Sequence, residues 1–181
     1  MSHAPSSDLN LVENILSGDR NAFVHIVSAH QDVIVSFVRR MAHDPVLSMD
    51  LSQEVFVRAF TRLGTFDGKK PLRPWLYRIA LNLVRDHFRK PENRIFAENP
   101  GHDREQAAET TPETAWLAHE RHMLLHKALN DLPKDLGEAL ILRFYQEMSF
   151  SDMAGVLGIG TSAAKMRVYR GLERMADMLD E

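Results

Sequence analysis

Lys165, Arg167, Arg170 and Arg174 stand three or so residues apart near the C-terminal end of the chain, a spacing that places them on roughly one face of a helix. Cations so gathered bind phosphate, and those near a helix N-terminus can meet base edges in the major groove of duplex DNA. The preceding residues complete a helix-turn-helix pattern. Ser149 stands three residues before Asp152, a capping-box-like pair at a helix start, with the aspartate where the helix dipole favours negative charge. Met153, Ala154, Val156 and Leu157 form the buried side of that helix, and Gly158 supplies the turn. Thr161 or Ser162 then caps the second helix. An ordinary amphipathic hairpin with a solvated basic face would share this pattern.

A second cluster has metal-ligand character. His119, His122 and His126 fall at i, i+3 and i+7 on one helix. A zinc-protease helix needs its second histidine four residues after His119, and that position is Met123. No further ligand is evident, so these residues read as the partly buried boundary of an amphipathic helix, and neither a metal nor another cofactor is expected. The chain has no cysteine, which excludes disulfides, thiol redox switching and thiol catalysis. Nothing resembles a catalytic constellation, so neither enzymatic activity nor a small-molecule substrate is expected.

Asp50, Gln53 and Glu54 make a polar stripe at i, i+3 and i+4, either a docking face or a solvated one. The net charge of −3 is wrong for a protein that holds DNA unaided, because duplex affinity comes largely from neutralised phosphates. Its distribution says more. Met1 to Val57 holds 3 basic and 7 acidic residues, Arg58 to Arg94 holds 10 and 3, Phe96 to Glu120 holds 1 and 6, and Thr161 to Arg174 holds 4 and 1. Two basic blocks separated by an acidic one point to two nucleic-acid contacts. The acidic front could face a protein.

These residues need helices to position them. Leu9, Val12, Ile15 and Leu16 recur at helical spacing up to Gly18, after which Asp19 can cap a second helix through Met41. Asp44-Pro45 breaks it, and a third helix runs from about Ser48 to Leu63. Gly64 to Pro74 is a loop carrying Lys69, Lys70 and Arg73, followed by a helix from Trp75 to Lys90. From Pro91 to Pro112 apolar periodicity dissolves into an acidic linker. Glu113 to Leu132 and Asp135 to Tyr145 are the helices before the helix-turn-helix. The expected architecture is all-α: helical domains at 1–90 and 113–181, joined by a flexible tether at 91–112. No run of eighteen uncharged apolar residues occurs and the start is polar, so the expectation is a cytoplasmic protein not inserted in a membrane.

Taken in order, Leu11-Val12, Gly18-Asp19, Ala22-Phe23, Asp50 to Phe56 and Trp75 to Asn82, with Asp86 and Arg89, resemble the first domain of extracytoplasmic-function sigma factors of the sigma-70 family. Ala128 to Pro133, Leu140 to Phe144 and the helix-turn-helix resemble the second. The resemblance implies a transcription initiation factor that binds core RNA polymerase, recognises minus-35 and minus-10 promoter DNA and helps open it, often restrained by an anti-sigma factor. It assigns Asp50, Gln53 and Glu54 to the polymerase. Asn82 matches the residue beneath a captured minus-10 base, with the loop Gly64 to Pro74 completing the pocket. Lys69, Arg73, Arg78, Arg85, Arg89 and Lys90 are then candidates for the DNA backbone, and Trp75 is either core or a stacking surface. Minus-35 reading falls on Ser162, Lys165, Met166, Arg167, Tyr169 and Arg170. Here the chain departs from the family pattern, with Ser162-Ala163-Ala164 for the usual Gly-Thr-Val and Met166 for a small polar residue, which implies an unusual consensus. A stand-alone helix-turn-helix regulator is the alternative from the same broad class.

Overall fold

The computed structural model describes residues 5–90 and 123–180. Among them the regular structure is helical and contains no strand, as an all-α chain requires. The expected linker at 91–112, His119 and His122 lie outside the described residues. The chain divides into two compact units.

The first unit is built from α1 (Pro5–Leu16), α2 (Phe23–Ala42), α3 (Pro45–Arg62) and α4 (Leu72–Arg89). Their apolar stripes meet in one core. Ile26, Ile34, Phe37 and Val38 of α2 pack with Val55 and Ala59 of α3 and with Leu76, Tyr77, Ala80 and Leu81 of α4, all fully or almost fully buried. Each large apolar side chain there contributes about 1.5–3 kcal/mol relative to exposure. Phe37 and Tyr77 meet edge to face with ring centroids 4.9 Å apart, the arrangement that ring quadrupoles favour. The short α1 is held to α2 by a buried polar bond that sequence spacing does not reveal: His30 Nε2 lies 3.1 Å from Asp8 Oδ2.

Three helix starts differ from expectation. Helix α4 opens at Leu72, three residues before Trp75, so Arg73 and Pro74 stand in its first turn and not in the loop. Asp19 makes no side-chain cap; a single 3-10 turn, Arg20–Ala22, intervenes before α2. The dipeptide Asp44-Pro45, read as a break, is also a beginning. Asp44 Oδ1 accepts the Leu47 amide at 2.9 Å and Pro45 occupies the first turn, where its missing N–H costs nothing, so α3 starts three residues before Ser48.

The second unit contains α5, helical over 123–131, then α6 (Lys134–Leu140), a π-helical turn (Ile141–Tyr145), α7 (Phe150–Leu157) and α8 (Thr161–Asp180). In the π turn the Gln146 amide donates to the Ile141 carbonyl at 3.1 Å. Arg143 then ties down the chain, donating from Nη1 to the Met148 carbonyl at 2.8 Å and lying 4.9 Å over the Phe150 ring. Ser149 opens α7 as expected: its hydroxyl accepts the Asp152 amide at 3.1 Å and donates to the Asp152 carboxylate at 2.7 Å. Met153, Ala154, Val156 and Leu157 are buried. Gly158, at φ +70°, supplies the left-handed turn that a side chain resists. Helix α8 returns against α6 through Ala164, Val168 and Gly171.

Candidate nucleic-acid interface

In the first unit, helix α4 buries Leu76, Ala80, Leu83 and Val84 and so turns another face outward. Steps of four, three and four residues carry Arg78, Asn82, Arg85 and Arg89 along that face, within about 60° of one another around the axis. Arg78, Asn82 and Arg89 are exposed, and Arg85 is half-buried. Arg89 reaches back to Asp86 at 3.1 Å, a mostly exposed pair of the kind that contributes little to stability. Lys90 follows, exposed, at the helix end.

One concave surface gathers Arg78 and Asn82 with Lys70, Phe66 and Trp75, and with Arg58 and Arg62 from α3. Phe66 is buried behind Trp75, their ring centroids 5.6 Å apart, while Trp75 remains half-buried and lines the concavity. Trp75 therefore packs on the core and also presents a ring edge or face to whatever enters. Such a surface is equipped to hold an unstacked base on aromatic groups with its phosphates among cations. The sequence marks Arg58 and Arg62 only as members of the basic block; their place at this surface comes from the packing of α3 beside α4. Arg58 Nε lies 2.8 Å from Glu54 Oε1.

Arg73 stands elsewhere. It precedes Arg78 by five residues, about 140° around the helix, and its guanidinium lies 5.5 Å from the Tyr77 ring centre, with Nη2 3.4 Å from the phenol oxygen. Burial raises the Tyr77 pKa above the ordinary tyrosine value, and the Arg73 charge partly offsets that. Lys69 is exposed on the loop, where its amide is held by Asp67 Oδ1 at 3.1 Å.

On α3, Asp50 and Gln53 are exposed and Glu54 is half-exposed, on the side opposite Val55 and Ala59. Val46, Met49 and Val57 are exposed beside them. The stripe is thus a mixed polar and apolar surface.

In the second unit α8 begins at Thr161, with the Gly160 carbonyl taking the Ala164 amide at 3.0 Å. The burial of Ala164, Val168 and Gly171 puts Ser162, Met166 and Tyr169 at the centre of the opposite, exposed face. Met166 and Tyr169 are about half exposed, at 49% and 52%. Lys165 lies over the Tyr169 ring at 5.7 Å. The four cations do not share one face: Lys165 and Arg167 diverge by about 160° around the helix, while Arg167, Arg170 and Arg174 flank the other side. Arg170 is exposed, but Arg167 Nε lies 3.5 Å from Asp135 Oδ2 on α6.

His126 lies within the described residues, its ring centroid 6.4 Å from that of Tyr145. Among the described residues no three ligating side chains gather to hold a metal, and no helix is long and apolar enough to cross a membrane.

Residues 26–94 match the family model Sigma-70 region 2, and residues 122–175 match Sigma-70, region 4. The RNA polymerase sigma-H factor of Pseudomonas aeruginosa is 33% identical over 174 residues, covering 92% of this chain and 90% of that protein. The ECF RNA polymerase sigma factor SigW of Bacillus subtilis is 29% identical over 93% of this chain and 94% of its own. The chain belongs to the extracytoplasmic-function group of the sigma-70 family. Among solved structures, CnrH in complex with the cytosolic domain of CnrY has a TM-score of 0.70 and 26% identity, covering 96% of this chain and 97% of that one. As a sigma factor, the protein directs transcription initiation. The region 2 match spans the concave surface and the α3 stripe, and the region 4 match spans the helix-turn-helix.

Proposed function

We propose that the sigma factor divides its work among three surfaces. Asp50, Gln53 and Glu54 of α3 dock on core RNA polymerase. Lys69, Arg78, Asn82, Arg85, Arg89 and Lys90 serve the minus-10 element, with Asn82 and Trp75 receiving a base once the strands part, while Arg73, engaged with Tyr77 on another side of α4, stays out of that surface. Ser162, Lys165, Met166, Tyr169 and Arg170 meet the minus-35 element, where Met166 packs on a sugar or a thymine methyl. The observation that carries this reading is the concave surface that joins Asn82 to Phe66, Trp75 and a rim of cations. The protein acts through binding alone, in the cytoplasm, and an anti-sigma partner restrains it; support for such a partner is the solved neighbour CnrH in complex with the cytosolic domain of CnrY.

The test is to supplement core polymerase with the chain and sequence the transcript starts from a genomic template. A shared minus-35 and minus-10 signature upstream of the starts is expected. A mobility-shift titration of the free chain at physiological salt should show weak binding, consistent with its net negative charge. Sequence-specific binding by the isolated chain at about 10⁻⁸ M or tighter, as stand-alone readers achieve, together with no polymerase-dependent starts, would assign it instead as a regulator that works without polymerase.

A further inference from the structure

Arg167 is less exposed than the other cations of α8. Counting from the axis of the exposed Ser162–Met166–Tyr169 face, it lies about 130° around the helix, next to the side that packs on α6. Its side chain is only 28% exposed, and its Nε meets the carboxylate of Asp135 at 3.5 Å. Asp135 sits in the first turn of α6, where the helix dipole favours a carboxylate. One turn further along both helices, Gly171 of α8 presses on Leu140 of α6, so closely that an added β-carbon would stand 3.0 Å from Leu140 Cγ. The two contacts define a line along the α6–α8 seam. The apolar one sets how near the helices approach; the ionic one, off to the side, resists rotation of α8 about its own axis.

We propose that Asp135 is a positioning residue for promoter recognition: through Arg167 it clasps α8 to α6 and fixes which face of the recognition helix meets the DNA. Arg167 on this account belongs to the clasp and does not read a base. The inference rests on the assignment of α8 to the minus-35 element. It also explains how α8 can present apolar Met166 and Tyr169 at the centre of its exposed face, since side chains that recognise by shape depend on the helix being held at one angle.

The experiment uses core polymerase loaded with the full chain and a promoter library randomised across the minus-35 element. Arg170→Ala checks the reading surface itself and should relax preference. Asp135→Ala and Arg167→Ala should each blur preference across several minus-35 positions, by roughly fivefold or more in discrimination, and the double variant should be no worse than either. The exchanged pair, Asp135→Arg with Arg167→Asp, should recover part of the wild-type preference, because the ion pair is rebuilt although the α6 dipole now opposes the cation. The salt dependence of binding should stay unchanged in Arg167→Ala. Thermal melts of each variant separate loss of fold from loss of orientation, and Asp135→Glu, which keeps the carboxylate, should be the mildest. The clasp is overturned if Asp135→Ala leaves preference intact, or if the exchange recovers none of it while Arg167→Ala alters one position only or lowers the salt slope by about one; Arg167 then contacts DNA directly. If Arg170→Ala also changes nothing, α8 does not read the minus-35 element, and the assignment beneath the clasp falls separately.

Discussion

Gly171 of α8 lies against Leu140 of α6 with no room for a side chain between them: a β-carbon there would stand 3.0 Å from Leu140 Cγ and 3.2 Å from both of its methyl carbons. Leu140 is itself buried, 3% exposed, so it cannot swing away into solvent. A glycine in a helix interior costs about 1 kcal/mol relative to alanine. Its presence here therefore marks a packing requirement, and the closeness of the two backbones follows from it.

Gly171→Ala should accordingly destabilise the protein by about 0.5–2 kcal/mol, the overpacking cost exceeding the gain in helix propensity. Leu140→Ala alone should cost about 2–5 kcal/mol. Combined, the two should cost clearly less than their sum, since the new methyl then fills the space the leucine leaves. Urea denaturation of the four proteins of this cycle gives the answer, and strict additivity would refute the contact.

Gln53→Ala with Glu54→Ala should weaken binding to core polymerase by about tenfold or more, equivalent to about 1.4 kcal/mol. Folding stability should move by no more than about 0.5 kcal/mol, because neither side chain is buried and the Glu54–Arg58 pair is a partly exposed i, i+4 bridge. Competition binding to core polymerase and thermal melts measure the two quantities. Native affinity in the double variant would mean that this face is only solvated.

Asn82→Ala should slow strand opening more than it weakens the closed complex. Asn82 is exposed on the concave surface, so its loss creates no cavity. Permanganate reactivity of promoter thymines reports opening, and footprinting of the closed complex at low temperature reports initial binding. Equal losses in the two assays would remove Asn82 from base capture.

Tyr77 gives a prediction at alkaline pH. Its folded-state pKa is raised, mainly by burial, with Arg73 partly opposing the shift. Above about pH 10 the unfolded chain ionises this phenol while the folded chain holds its proton, so unfolding releases a proton and stability falls as pH rises. Tyr77→Phe should lessen that decline, with little change at pH 7 because the phenol oxygen's contacts to Arg73 and the Val33 carbonyl are long, at 3.4 and 3.5 Å. Stability curves of the two proteins from pH 7 to pH 11 should start together and diverge towards high pH, the wild type falling below Tyr77→Phe; parallel curves would show that the phenol ionises equally in both states.

Local chemistry was legible in the sequence and distant chemistry was not. The Ser149–Asp152 start of α7 and the left-handed Gly158 turn depend on residues within a few positions of one another, and both stand where the pattern puts them. In the sequence Asp44-Pro45 signals a stop because proline ends helices; the same residue is welcome at a first turn, and only the Leu47 amide on Asp44 distinguishes the two. The basic spacing of α8 counts residues in threes and fours but does not show which side faces α6, so the pattern alone puts Arg167 with Lys165. Asp8 with His30, 22 residues apart, and Asp135 with Arg167 are bonds that only tertiary packing creates. At the concave surface Asn82 came from the family resemblance. Arg58 and Arg62 join it because α3 passes alongside, which no periodicity within α3 records.

The turn Ile141–Tyr145 winds one more residue into its ring than an α-helical turn does. In effect the chain is one letter longer here than an uninterrupted helix needs. Deleting the exposed Phe144 would let the segment close as ordinary α-helix, and the following chain would leave it turned by about 100° and drawn back about 1.5 Å. Arg143 and the Met148 carbonyl, now 2.8 Å apart, would lose their register, and α7 would set out from the wrong side of its predecessor. That extra residue acts as a phase adjustment written into chain length: it sets the angular offset between the helix that carries Asp135 and the helix pair that follows.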